Sequence, residues 1–196
     1  FIPLFNGIDM TGWSGNLTDY TAADGMIVCD PSGNGSGNLY TANEYGDFIL
    51  RFEFQLTPGA NNGLGIRTPR EGDAAYVGME LQILDNEADI YKNLQPYQYH
   101  GSVYGVIPAK RGFQKPVGEW NYQEVQAIGN KIKVTLNGEV ILEGDIAKAS
   151  QNGAVWRPCN AIATGPWKIS PSLAIAGCLA ASTKITSLKK SPNNMG

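Results

Sequence analysis

From Phe48 to Leu56 every second residue is a large hydrophobe: Phe48, Leu50, Phe52, Phe54 and Leu56 alternate with Ile49, Arg51, Glu53 and Gln55. A period of two places one set on a greasy face and the other on a polar one, which is a half-buried strand. Pro58-Gly59 reads as the end of that strand, and Gly63-Leu-Gly-Ile-Arg67 as the start of the next. Val77 to Leu84 forms a further apolar run. Tyr122–Ile128 and Lys131–Leu136 alternate on either side of Gly129-Asn130, and Asn137-Gly138 joins Ile132-Val134-Leu136 to Val140-Leu142. An Asn-Gly pair between alternating runs is a strong hairpin signal. No segment holds a helical period over three turns. The pattern predicts an antiparallel all-β domain, most economically two packed sheets.

One run breaks the greasy rule. In Gly78-Met-Glu80-Leu-Gln82-Ile-Leu-Asp85 the polar Glu80 and Gln82 stand two apart in mid-strand. They share a face, and Leu81 and Ile83 point the other way into the core. Glu and Gln are poorly suited to burial unless hydrogen-bonded or set in a wet cleft. The spacing therefore predicts a polar groove on a sheet face, of the kind in which a sugar lies.

Bulk composition narrows the field. At 196 residues with 42% hydrophobic and 17% charged residues, the chain is globular in character and fits one domain over 1–196. A net charge of −3, with no basic cluster larger than Lys189-Lys190, argues against a nucleic-acid partner. No apolar run is long enough to span a membrane. The chain starts at Phe1 without a Met, which is compatible with a removed export signal and a periplasmic, cell-surface or secreted location. Cys29, Cys159 and Cys178 are widely spaced, so buried free thiols are expected rather than a zinc site or a disulfide framework.

The stretch Asp85–Tyr104 carries Tyr91, Tyr97, Tyr99, His100 and Tyr104. A loop of this length is commonly functional, and aromatic rings stack on the C–H faces of sugars. The same rings would equally serve to cover a sheet edge.

Several motifs together resemble the 3-keto-disaccharide hydrolase family. They are Leu4-Phe5-Asn6-Gly7-Ile-Asp9-Met-Thr-Gly12-Trp13, Gly46-Asp47-Phe48-Ile-Leu50-Arg51-Phe-Glu53-Phe, Asn61-Asn62-Gly63-Leu-Gly-Ile-Arg67, Gly78–Asp85, Ser102-Val-Tyr104-Gly105, Gly118-Glu119-Trp120-Asn121 and Leu136-Asn137-Gly138. The resemblance is strongest over residues 1–145. It implies a concanavalin A-like jelly-roll sandwich of two antiparallel sheets, the lectin/glucanase fold, with a saccharide ligand or substrate held on one face.

Residues 151–183 depart from the family pattern, whereas Lys184-Ile-Thr-Ser-Leu188-Lys fits its last strand. The family's His-Pro-Gly step and its Gly-x-Ile-x-Leu-x-x-His-Gly strand are both missing. Read in another frame, codons compatible with Trp167–Ile175 encode Glu-Asn-Ile-Ala-Phe-Leu-Gly-His, close to the missing strand. A pair of compensating frame errors is the hypothesis this suggests; an encoding DNA and an intact mass that both match the sequence would sink it.

The Glu80-x-Gln82-x-x-Asp85 spacing is similar to the Glu-x-Asp-x-x-Glu of laminarinase-type glycosidases, whose two carboxylates work about 5–5.5 Å apart. Here Gln82 occupies the middle position, and Asp85 is expected on the opposite face from Glu80, so that mechanism is disfavoured. A 3-keto glycoside, the substrate the resemblance implies, needs one base. Its C3 carbonyl acidifies the C2 hydrogen, and loss of that proton lets the C1 leaving group depart. On this reading Glu80 is the base, and Arg67 holds the enolate oxygen or pairs with Glu80. Tyr104 or His100 protonates the leaving group. Gln82, Trp120, Tyr97, Tyr99 and Asn62 bind substrate. A divalent cation in place of the arginine would draw on Glu80, Gln82 and His100. The alternatives are a non-catalytic carbohydrate-binding module on the same fold and, for single residues, structural roles: a Glu80–Arg67 ion pair, a core-covering Trp120, a tight turn at Asn61-Asn62-Gly63.

Overall fold

The computed structural model describes residues 1–30, 32, 35, 37–70, 78–151 and 172–190, the last stretch and residues 150 and 151 by their backbone alone. The strands are β1 (Trp13–Gly15), β2 (Tyr20–Ala23), β3 (Met26–Cys29), β4 (Leu39–Glu44), β5 (Phe48–Thr68), β6 (Met79–Leu84), β7 (Trp120–Ile128), β8 (Lys131–Leu136), β9 (Glu139–Asp145) and β10 (Ser172–Lys190). Every pairing is antiparallel. A short helix, α1 (Ile146–Gln151), follows β9, a helical turn that the sequence pattern did not signal.

Two long strands organise the sandwich. β5 runs for 21 residues through Pro58-Gly59, where the sequence suggested a break. β10 pairs with it from Ser172↔Thr68 to Lys190↔Phe48. The first half of β5 pairs with β7, the second half with β6. An extended strand of 20 residues would span roughly 66 Å. Yet Arg67, near the end of β5, lies 3.4 Å from Asp47, just before its start. β5 and β10 therefore double back together, and their halves lie face to face as two layers.

The bend is built at Gly59, whose φ of +73° suits a residue without a Cβ. The Gly59 N–H donates to Asp85 Oδ2 at 2.9 Å, and the Asp85 N–H donates to the Ala60 carbonyl at 2.9 Å. The end of β6 thus clamps the fold-over.

The expected alternation of β5 is present: Phe48, Leu50, Phe52, Phe54 and Leu56 are all buried. They pack with Leu64, Ile66, Met79, Leu81 and Ile83 from the other layer and with Val125, Ala127, Ile132, Val134 and Leu136 into one core. Asn137-Gly138 forms the expected hairpin, both residues at positive φ (+51° and +92°). Cys29 is disulfide-bonded, which corrects the expectation of a free thiol there; the side chains of Cys159 and Cys178 lie outside the described residues. So does residues 152–171 of the atypical stretch, while 172–183 belongs to β10.

Candidate functional site

The layer formed by β1, β4, β6 and the paired halves of β5 and β10 carries one chain segment more than its strands. Past β6, residues 101–104 lie along it as an added edge. The Gln82 N–H donates to the Ser102 carbonyl at 3.0 Å, and the Gly101 N–H to the Gln82 carbonyl at 2.8 Å. The Tyr104 N–H donates to the Glu80 carbonyl at 2.9 Å. Leu81 and Val103 are bridge partners.

Registers then give a row straight across the layer: Leu39, Ile175, Leu64, Leu81 and Val103. Leu39, Leu64, Leu81 and Val103 are buried, so this row faces the core. The adjacent row must face outward, because strand side chains alternate. It reads Ser14, Tyr40, Gly65, Glu80 and Tyr104, with position 174 of the β10 backbone in register between Tyr40 and Gly65. The next row on this side holds Gly63, Gln82 and Ser102, of which Gln82 is 4% exposed and Ser102 is fully covered, its Oγ bonded to the Pro96 carbonyl and the Ala109 N–H.

The outer face is thus a trough. Its central register positions on β5 are Gly63 and Gly65, and Tyr40, itself only 7% exposed, stands on one side with Glu80 and Tyr104 on the other. Three strand spacings separate β4 from β6, about 14 Å. Glu80 leans into it: a Cβ built on Gly63 would overlap the Glu80 carboxyl group, with Cγ at 2.6 Å. Tyr104 Oη accepts a hydrogen bond from Gln98 Nε2 at 2.8 Å, which leaves its own proton to donate. Gln82 turns its Oε1 onto the Ile83 N–H at 3.0 Å, so its amide nitrogen supplies the donors. Tyr97 is 38% exposed and stands beside this edge, its carbonyl accepting from the Gly105 N–H at 3.3 Å.

Five other residues singled out from the sequence are placed elsewhere. Arg67 sits at φ +52°, which breaks the alternation of β5, and its buried guanidinium reaches Asp47. Burial pulls its pKa below the arginine value, and Asp47 partly offsets that. His100 is 1% exposed, with its ring centroid 5.0 Å from that of Phe54. Its Nδ1 accepts from the Leu84 N–H at 3.4 Å, so Nε2 carries the hydrogen and donates to Gln123 Oε1 at 2.9 Å. Desolvation holds its pKa down at about 4, and the ring is neutral.

Asn62 shares a row with Ile83 on the core side and bonds the Tyr20 hydroxyl, whose pKa burial pushes up. Tyr99 is buried, donates its hydroxyl to the Tyr91 carbonyl at 3.1 Å and is covered by Arg111 at 3.8 Å. Trp120 pairs with Gln55. Because its neighbours Asn121 and Gln123 are the buried ones, it belongs to the outer face of the other layer.

With His100 in the core and Gln82 Oε1 engaged, Glu80, Gln82 and His100 do not converge as a cation site. Asp85 spends Oδ2 on Gly59 and Oδ1 on the Glu87 N–H at 3.2 Å, so it is the clamp of the bend.

Over residues 1–167 the chain matches the 3-keto-alpha-glucoside-1,2-lyase-like domain. The chain belongs to this family. A 3-keto-disaccharide hydrolase of Bacteroides thetaiotaomicron is 28% identical over 167 residues, which cover 73% of this chain and 58% of that protein. The chain thus spans little more than half the length of that curated relative. Crystal structures of two proposed glycosyl hydrolases from Parabacteroides distasonis share the fold. One has a TM-score of 0.80 at 22% identity, covering 97% of this chain and 98% of the other. The second has a TM-score of 0.73 at 20% identity, covering 96% and 92%. The architecture is the jelly-roll sandwich of two antiparallel sheets that the family resemblance implied.

Within this family member, the outer face includes positions that sequence reasoning passed over: Tyr40 and the glycines at 63 and 65. The Gly-x-Gly spacing inside a strand was a usable signal, since glycine there marks a close approach. Nothing in the local sequence marked Tyr40, whose place depends on β10 lying between β4 and β5.

Proposed function

We propose that the chain cleaves a 3-keto glycoside on this face, with Glu80 as the base and Tyr104 as the acid. The observation that carries the reading is the lateral pairing of Glu80 with Tyr104 beside the glycine positions 63 and 65 of β5. Adjacent strands hold two side chains of one face about 5 Å apart, so a carboxylate and a phenol flank the same sugar carbons. Family membership supports the substrate class.

Glu80 takes the C2 proton, acidified by the C3 carbonyl, and the electrons form the enediolate. The C1–O bond breaks as Tyr104 gives its proton to the leaving oxygen. Water then adds across C1 and C2: its oxygen bonds C1, Glu80 returns its proton to C2, and the remaining water proton restores Tyr104. The net change is hydrolysis; release before water adds makes the same site a lyase. The Gln82 amide donates to the C3 oxygen as negative charge develops there, the role first sought in Arg67. Tyr97 offers an exposed ring for a sugar face at the rim. The Cys29 disulfide supports an oxidising, exported setting.

The test is release of 4-nitrophenol from a 4-nitrophenyl 3-keto-glucoside by the wild type and by Glu80→Gln. A base removed costs about 10²–10⁴-fold in kcat/KM. Saturable binding of intact saccharide with no release, unchanged by Glu80→Gln, would instead make the chain a binding module.

A further inference from the structure

Gly63 is the residue that lets Glu80 lie down. Its φ is not in the left-handed region, so its backbone conformation is open to any residue. Space is what excludes a side chain. The three atoms nearest a Cβ at this position are all from Glu80: Oε1, Cδ at 2.5 Å and Cγ at 2.6 Å. Real Cβ contacts at such separations do not occur, so an alanine at 63 must displace the Glu80 side chain.

The direction of that lean matters. Glu80 is in register with Gly65, whereas Gly63 is in register with Gln82. The carboxyl therefore crosses diagonally from its own row toward the Gln82 row, flat against the β5 backbone. A diagonal contact of this kind is normally filled by the side chain of the facing residue. Here the missing side chain leaves the carboxyl low in the trough, over the Gly63 backbone of the row that holds Gln82.

We infer that Gly63 is a positioning residue: by omitting a side chain it fixes the carboxyl of Glu80 at the height and row where a C2 proton is taken. Gly63 touches no reacting atom, and its effect passes entirely through Glu80. The inference rests on Glu80 being the base.

Gly63→Ala isolates it, because the change adds a single methyl in an allowed backbone conformation. A misplacement of about 1 Å in a reacting group costs on the order of 10²-fold, so kcat should fall by about that factor with KM little changed. The acid limb of the pH–rate profile, which reports the base, should move as well. A crystal structure of Gly63→Ala should show the Glu80 carboxyl displaced from its wild-type position. The decisive arm is the double variant: Gly63→Ala should cost nothing further in a Glu80→Gln background, since the group it positions has already lost its function.

Failures separate cleanly. If Glu80→Gln leaves turnover intact, the base assignment is wrong and the inference falls with it. If Glu80→Gln abolishes turnover but Gly63→Ala keeps the wild-type kcat, or leaves the carboxyl unmoved, Glu80 remains the base and Gly63 positions nothing. An equal loss from Gly63→Ala with and without Glu80 would make it a general structural lesion and overturn the proposal.

Discussion

The Tyr104 N–H donates to the carbonyl of Glu80 at 2.9 Å, and this one backbone bond sets their side chains on the same outward face of adjacent chain segments. Residues 101–104 act as an edge strand, so the phenol proposed as acid is held beside the carboxylate proposed as base by the sheet ladder itself. That arrangement gives Tyr104 a rigid seat although it comes from a loop.

Tyr104→Phe should lower kcat/KM by about 10–100-fold with a good chromogenic leaving group, and by more with an alkyl alcohol, whose departure needs the proton. Gln98→Ala, which removes the donor to Tyr104 Oη at 2.8 Å, should show a weaker effect of the same kind. Equal losses with both leaving groups would show that Tyr104 is not the acid.

His100 should make stability depend on pH. Its folded pKa of about 4 lies below the ordinary 6.5, so the unfolded chain binds its proton first. Stability is full above pH 6.5, is lost as pH falls toward about 4, and for this group levels off below that. The span corresponds to about 3 kcal/mol. It is the only histidine in the chain, so no other imidazole contributes. Urea unfolding at pH 7 and pH 5 measures the difference; a His100→Asn variant should lose the dependence, at the cost of a lower baseline from an imperfectly filled site.

The Arg67–Asp47 contact should matter for folding and not for turnover. Asp47 also accepts the Gly129 N–H at 3.0 Å, so it ties the start of β5 to the β7–β8 turn. Asp47→Ala removes the carboxylate that faces the buried guanidinium at the end of β5. Discounted for the partial exposure of Asp47, the expected loss is about 1–3 kcal/mol. The kcat of the folded fraction should match the wild type. A large fall in kcat with an unchanged melting temperature would return Arg67 to the active site.

The Cys29 disulfide predicts one reactive thiol in the denatured, unreduced chain and three after reduction, counted by alkylation mass against the 21.1 kDa chain. Reduction should lower stability by about 2–4 kcal/mol. Three thiols before reduction would rule the bond out.

Local pattern alone determined much of this protein. The period of two in Phe48–Leu56, the Asn137-Gly138 hairpin and the outward pairing of Glu80 with Gln82 follow from residues within a few positions of one another. Backbone sterics and side-chain alternation act at that range, and the family motifs added the sandwich. What tertiary structure alone decided is which distant residues share a face. Asn62 differs from Gly63 by one position and faces the core, because parity is strict in a strand. Arg67 left the outer face through one positive φ. His100 lies within the same aromatic loop as Tyr104, yet it turned inward to Phe54 and Gln123, where burial of a neutral imidazole with both nitrogens bonded is favourable. Tyr40 joined Glu80 only because β10, more than a hundred residues later than β5 in the chain, lies between β4 and β5. Contacts at that separation depend on how the long strands fold back, and no local spacing encodes it.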